Sequence, residues 1–182
     1  SLRAEPEFPV WILGVDTDPE AHGRLAVNHF EVVPRPENDP TQFVERLLSL
    51  CIQHKIEALI LTSEGESLAV AARREDFISQ GVSVSVSDSS VVERMTDKFA
   101  MLEHLATVGT DVGPFFKVDD ENDLISAASS LQYPAQKFVL KPRRGAGSRG
   151  ILIFDSNASE YRSLLEDRFC GIANFDQMRL QI

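Results

Sequence analysis

A chain of 182 residues, 43% hydrophobic and 25% charged, is long enough to bury a sizeable core and too ordinary in composition for a disordered or fibrous protein. A net charge of −10 opposes general binding to nucleic acid or to an anionic membrane surface. Two distant cysteines, Cys51 and Cys170, argue against a disulfide scaffold or a zinc module and fit a reducing, cytoplasmic setting; no apolar run reaches the roughly 18 residues of a membrane span, and the start lacks a signal-peptide pattern.

The first element is the β-rich run Val10-Trp11-Ile12-Leu13-Gly14-Val15, which ends at the turn Asp16-Thr17-Asp18-Pro19. Phe30-Glu31-Val32-Val33 is a second candidate strand, stopped by Pro34. Asp39-Pro40-Thr41-Gln42 then offers an N-cap, a proline at the first helical position and a capping-box glutamine, followed by Phe43, Val44, Leu47, Leu48 and Cys51 at helical spacing. Ala58–Leu61 reads as a buried strand, Ser67 to Ile78 as an alanine-rich helix, and Val82–Ser87 as a strand covered on one face. Strands alternating with helices predict a parallel sheet in which Val10–Asp16, Leu59–Thr62 and Val82–Val86 lie side by side.

The texture changes near residue 111. Phe115–Val118 reads as a strand, Asp120 to Leu131 as a helix, Lys137–Lys141 and Ile151–Phe154 as strands, and Tyr161, Leu164 and Leu165 as one face of a further helix. Two strands joined by a polar loop without a helix suit an antiparallel pair, so this half is α+β. The boundary is expected within residues 108–114, giving an α/β domain over residues 1–110 and a smaller one over residues 111–182.

Chemistry concentrates in Lys141-Pro142-Arg143-Arg144-Gly145-Ala146-Gly147-Ser148-Arg149-Gly150. Residues 141–149 hold four basic side chains and no acid where chance would place about one, since Lys and Arg supply 18 of 182 residues. Glycines among the cations let the backbone approach a ligand and turn its N–H groups inward around phosphate oxygens. The alternative is a solvated basic hairpin tip. Gly145, Gly147 and Gly150 match G-x-G-x-x-G, but Ile151–Phe154 reads as a strand where a dinucleotide fingerprint must open a helix, and no G-K-[ST] follows for a Walker A loop. Thr96-Asp97-Lys98 is a second element, with Thr96 as N-cap and Phe99, Leu102 and Ala106 starting a helical stripe. Lys98 in a first turn opposes the helix dipole unless an anion lies near. His22, His29, His54 and His104 have no i,i+4 partner, so packing or surface roles are expected for them.

In order and spacing these pieces resemble the ATP-grasp superfamily, in its carbamoyl-phosphate-synthase-large-chain-like branch. Ile12–Pro19, Phe30–Arg35 and the strand with acidic loop Leu59–Glu66 resemble the leading parallel α/β/α domain, Asp97-Lys98 its Asp-Lys helix start, and Val139–Pro142 with residues 143–150 the strand and flap of the small lid. The resemblance implies that Lys98 and Lys141 contact nucleotide phosphates, Lys141 also reaching the adenine edge, and that Arg144, Gly145, Ala146, Gly147 and Ser148 fold over the terminal phosphates. It implies Mg²⁺ and ATP as cofactors and a carboxylate as phosphoryl acceptor, the acyl phosphate then being displaced by an amine. A homodimer is a further expectation, and no nucleic-acid or membrane partner is.

Two parts of the family pattern are expected outside these residues. The opening βα unit belongs before Val10, and Met178–Ile182 resembles the strand leading to the adenine hinge, so the hinge, the Mg²⁺ ligands and the acceptor site belong after Ile182. The 182 residues alone are thus expected to be an inactive portion of a ligase. Glu64 and Glu66 are read as solvated or structural rather than as metal ligands. The competing readings are a nucleotide- or anion-binding regulatory module without catalysis, and an interaction domain gripping an acidic partner.

Overall fold

A computed structural model describes residues 9–158, 162–163 and 170–175, and the chain divides into two compact units, Ser1–Val92 and Glu93–Ile182. Among the described residues no helix is long and apolar enough to cross a membrane.

In the first unit the opening apolar run forms β1 (Leu13–Asp16), paired in parallel with β2 (His29–Val32) so that Leu13 faces His29 and Asp16 faces Val32. The turn after β1 is fixed locally: the carboxylates of Asp16 and Asp18 accept from the backbone N–H groups of Asp18 and Glu20 at 2.9 and 2.8 Å. α1 (Pro40–Gln53) starts where the sequence places it, with Pro40 in the first turn and the Asp39 carboxylate accepting from Gln42 N at 2.9 Å. Its buried stripe is Phe43, Val44, Leu47, Leu50 and Cys51. Cys51 is a free thiol, and burial pushes it up to about 11.

β3 (Ala58–Ile60) pairs in parallel with β4 (Ser83–Ser85), Leu59 opposite Val84. The Ser/Val repeat behaves as a strand covered on one face, with Val82 buried, Val84 and Val86 half-buried and the serines exposed. Between them stand two helices rather than the expected one, α2 (Glu64–Ala72) and α3 (Arg74–Ser79), because Arg73 leaves helical geometry at φ −128°. Ser63 and Glu66 close a reciprocal capping box on α2, which gives the acidic loop its structural role. Phe43, Leu50, Val70 and Phe77, each at most 1% exposed, meet in one core. Burial of each side chain contributes roughly 1.5–3 kcal/mol. The strands of this unit all pair in parallel, but as two two-stranded sheets. β1 therefore has β2 as its neighbour among the described residues, and the expected contiguous sheet with β3 and β4 is not formed by them.

α4 (Ser89–Thr96) spans the point of division. The second unit continues with α5 (Lys98–Thr107) and α6 (Glu121–Ser130), and with a four-stranded sheet in the order β5 (Phe138–Leu140), β6 (Ile151–Phe154), β8 (Cys170–Ala173), β7 (Arg162–Ser163). β5 and β6 are antiparallel as expected, Phe138 facing Phe154; β8 runs parallel to β6 and antiparallel to β7. Phe138 stacks on Phe154 with centroids 4.6 Å apart, and Leu124 and Ala128 of α6 pack onto that face.

In the second unit two elements differ from the sequence reading. Phe115–Val118 is irregular backbone rather than a strand; the apolar side chains are explained by packing, Phe115 edge-on against Phe99 at 5.6 Å and Val118 against the core under α6. Arg162 and Ser163 pair as β7 where a helix was expected, while Tyr161, Leu164, Leu165 and Met178–Ile182 lie outside the described residues.

Candidate functional site

The residues singled out by sequence converge within the second unit. Asp97, not Thr96, caps α5: its side chain accepts from Phe99 N and Ala100 N, both at 3.2 Å, while Thr96 closes α4. The same carboxylate, only 6% exposed, receives Arg143 Nε at 2.7 Å and lies 3.8 Å from Arg144 Nη2. The Arg143 hydrogen bond is the chief reason that Asp97 is held down at about 2. Arg143 in turn is raised by Asp97 and lies over the Phe99 ring at 5.9 Å, a cation–π contact.

Two further bonds tie the helix start to the glycine loop. Lys98 N donates to Arg143 O at 2.9 Å, and Lys98 Nζ donates to Gly145 O at 2.6 Å. Lysine at this first-turn position is thus matched by a carbonyl dipole that partly offsets its conflict with the helix dipole. The loop itself is a succession of left-handed residues: Gly145, Gly147, Ser148 and Gly150 have φ of 106°, 72°, 62° and 72°. Gly150 favours glycine on two counts, its positive φ and a Cβ position that would lie 2.6 Å from Pro142 Cγ.

Beside these groups is a cleft of about 270 Å³. Lys98, Lys141 and Arg143 contribute its cationic edge, while Phe99, Phe115 and Leu131 supply apolar wall. Such a lining suits a flat apolar body carrying an anionic group. Of the expected site residues, the structure brings Lys98 and Gly145 into contact and sets Lys98 and Lys141 on one cleft; Arg144 sits 3.8 Å from the carboxylate that anchors the loop, and Ala146, Gly147 and Ser148 occupy its exposed tip. Sequence reasoning placed Arg143 in the basic loop without a role of its own and missed the anchoring role of Asp97. Their pairing spans 46 residues, and its only trace in the sequence is an N-cap residue type just before Lys98.

Among the described residues the one set of three clustered imidazoles and carboxylates is His29, Glu31 and His54, in the first unit. Its nitrogen-rich make-up does not suit Mg²⁺, which prefers oxygen ligands. The residues beside the loop present cations and backbone dipoles to the cleft.

No known family profile matches the chain, and no curated protein does. Solved structures do. The biotin carboxylase domain of 2-oxoglutarate carboxylase from Hydrogenobacter thermophilus, a dimer with MgADP, ADP and bicarbonate, has a TM-score of 0.55 and 20% identity over 84% of this chain and 34% of that one. Pyruvate carboxylase from Rhizobium etli, solved with the allosteric activator acetyl coenzyme A, gives 0.54 and 16% over 80% of this chain and 13% of that one. The fold is accordingly α/β, similar to that of the Hydrogenobacter biotin carboxylase domain and to part of the Rhizobium pyruvate carboxylase. The chain spans about a third of the first protein's length and about an eighth of the second's.

Proposed function

We propose that this chain is the phosphate-gripping portion of a cytoplasmic ATP-dependent carboxylate–amine ligase of the carbamoyl-phosphate-synthase-like branch, which works through an acyl phosphate with Mg²⁺-ATP. In this reading residues 1–110 comprise the parallel α/β domain and the helix leading into ATP-grasp, that helix belonging to the second compact unit, and residues 111–182 are the lid. The observation that carries this reading is the direct bond from Lys98 Nζ to Gly145 O, which joins two motifs 47 residues apart at the edge of one cationic cleft.

In this reading Lys98 and Lys141 neutralise phosphate oxygens, and residues 144–148 close over the terminal phosphates. Asp97 acts one step back: by holding Arg143 it fixes the root of the loop, and by capping α5 it fixes the position of Lys98. Positioned charge is most of what phosphoryl transfer requires of a protein. When bound, the metal would neutralise charge on the nucleotide. The small carboxylate and the homodimeric assembly are part of the same proposal; the bicarbonate and the dimer seen with the Hydrogenobacter domain are the parallels that favour them.

The test is an ATP titration of the 182-residue chain across ionic strength, followed by phosphate-release assays on a longer protein over a panel of carboxylates. The short chain should bind ATP weakly, lose that binding as salt rises, and not turn it over. In the longer protein Lys141→Ala should lower phosphate release on the order of 10²–10³-fold, as expected for the loss of one transition-state cation. Full activity without Lys141, or brisk turnover by the short chain, would overturn the assignment. A regulatory module would instead bind ATP and stay silent at every length, and a site for an acidic protein partner would bind that partner regardless of ATP.

A further inference from the structure

The first unit contains a cluster that the phosphate site does not use. On β2, His29 and Glu31 are two residues apart and so project from the same face, while His54 stands at the C-terminal cap of α1. The two imidazole rings lie 5.0 Å apart, and Trp11 stacks on His54 at 5.5 Å and on His29 at 6.4 Å. One ligand-capable atom from each of His29, Glu31 and His54 lies within 4.8 Å of the other two. His29 Nε2 is 3.0 Å from Glu31 Oε1, and the other oxygen of Glu31 receives Arg46 Nη2 at 2.7 Å.

One feature separates this arrangement from ordinary aromatic packing. His54 Nε2 is buried and has no hydrogen-bond partner. A buried polar nitrogen normally finds a partner, because leaving it desolvated and unpaired costs about 1–3 kcal/mol. Here it stands in a group that already contains a second imidazole and a carboxylate. We propose that His29, Glu31 and His54 form a binding site for one borderline divalent transition-metal ion of the Zn²⁺, Co²⁺ or Ni²⁺ type.

The chemistry of the donor set selects that class. Two imidazole nitrogens and one carboxylate oxygen suit borderline cations, whereas Mg²⁺ and Ca²⁺ require mostly oxygen. Three protein ligands leave the fourth tetrahedral position open to water or an exogenous anion. With metal–ligand bonds of about 2.0–2.1 Å, tetrahedral donors sit roughly 3.3 Å apart, so the group has to contract by about 1.5 Å at most from its 4.8 Å limit. The His29 side chain, 45% exposed, is free enough to swing by that amount. Arg46 holds the second oxygen of Glu31 and so orients the carboxylate, the part that outer hydrogen bonds play around metal ligands.

The single tryptophan of the chain, Trp11, lies against both imidazoles and reports the site directly. Tag-free protein is titrated with NiCl₂ and CoCl₂, which quench tryptophan at contact distance, and with ZnCl₂ followed by calorimetry; MgCl₂ is the control. The expected result is saturable quenching at one equivalent, reversed by EDTA, with no response to Mg²⁺. His54→Ala and Glu31→Gln should each weaken binding at least tenfold, in line with losses seen even for outer-shell changes, whereas His22→Ala and His104→Ala should leave it unchanged. Circular dichroism identifies any variant that fails to fold, and the wild-type titration decides without it. No quenching and no heat up to millimolar metal, or equal binding by folded His54→Ala protein, would overturn the proposal.

Discussion

Gly150→Ala isolates how much of the loop's shape is imposed by geometry. At φ +72° an alanine carries the left-handed penalty, roughly 1–2 kcal/mol. Its Cβ would also stand 2.6 Å from Pro142 Cγ, and the proline ring has no rotamer into which to retreat. Overpacking of this kind costs about 1–3 kcal/mol where the surroundings are fixed; the loop is exposed and can shift, so the lower end applies, about 1 kcal/mol. Gly113 provides the comparison. It has φ +65° with nothing within 4 Å of the position a methyl group would take, so Gly113→Ala carries the backbone penalty alone. In urea unfolding followed by circular dichroism, Gly150→Ala should therefore lose about 1 kcal/mol more than Gly113→Ala. It should also weaken ATP binding about tenfold if the shifted loop no longer presents its groups together. Equal stability losses in the two variants would refute the contact with Pro142 as the cause.

Two further outcomes follow from the second unit. Phe154→Ala removes a ring 1% exposed and stacked on Phe138, and should destabilise by about 3–5 kcal/mol, against less than about 1 kcal/mol for Val139→Ala on β5, where the side chain is 48% exposed; denaturant midpoints with their slopes decide this. Asp97 is depressed in the folded state to about 2, so its contribution is complete above the ordinary carboxylate range near 3.8 and is lost as pH falls through about 2. Unfolding midpoints between pH 5 and pH 2 should fall less steeply for Asp97→Asn than for the wild type; identical slopes would remove Asp97 as the acid-sensitive group.

What the sequence made legible were features written over a few neighbouring residues. The start of α1 is encoded in Asp39-Pro40, the covered strand β4 in Ser/Val alternation, and the antiparallel β5–β6 pair in a polar loop too short for a crossover helix. The glycine loop stands out because four cations in nine residues oppose the charge of the whole chain. The losses have equally physical causes. Phe115 and Phe116 look like a strand because aromatic side chains serve packing and pairing alike, and only tertiary structure says which. Arg73 gives no breaker signal, yet its φ ends α2. His29 and His54, 25 positions apart, could not be paired by any spacing rule; a strand and a helix cap bring them together.

The bond between Lys98 and Gly145 also sets a condition on the proposed phosphate site. An ammonium that donates to a backbone carbonyl at 2.6 Å has one of its three donors engaged. A phosphate oxygen is the stronger acceptor for an ammonium, since it carries a full opposite charge where a carbonyl carries only a partial one. Binding therefore favours either transfer of the ammonium from carbonyl to phosphate or sharing between them, and in both cases the loop's attachment at Gly145 changes when ligand arrives. Asp97 and Arg143 keep the loop's root fixed meanwhile, because their bond uses neither Lys98 Nζ nor the tip residues. The root of the loop is thus held by Asp97 whatever Lys98 binds, whereas the attachment at Gly145 depends on the partner of the Lys98 ammonium.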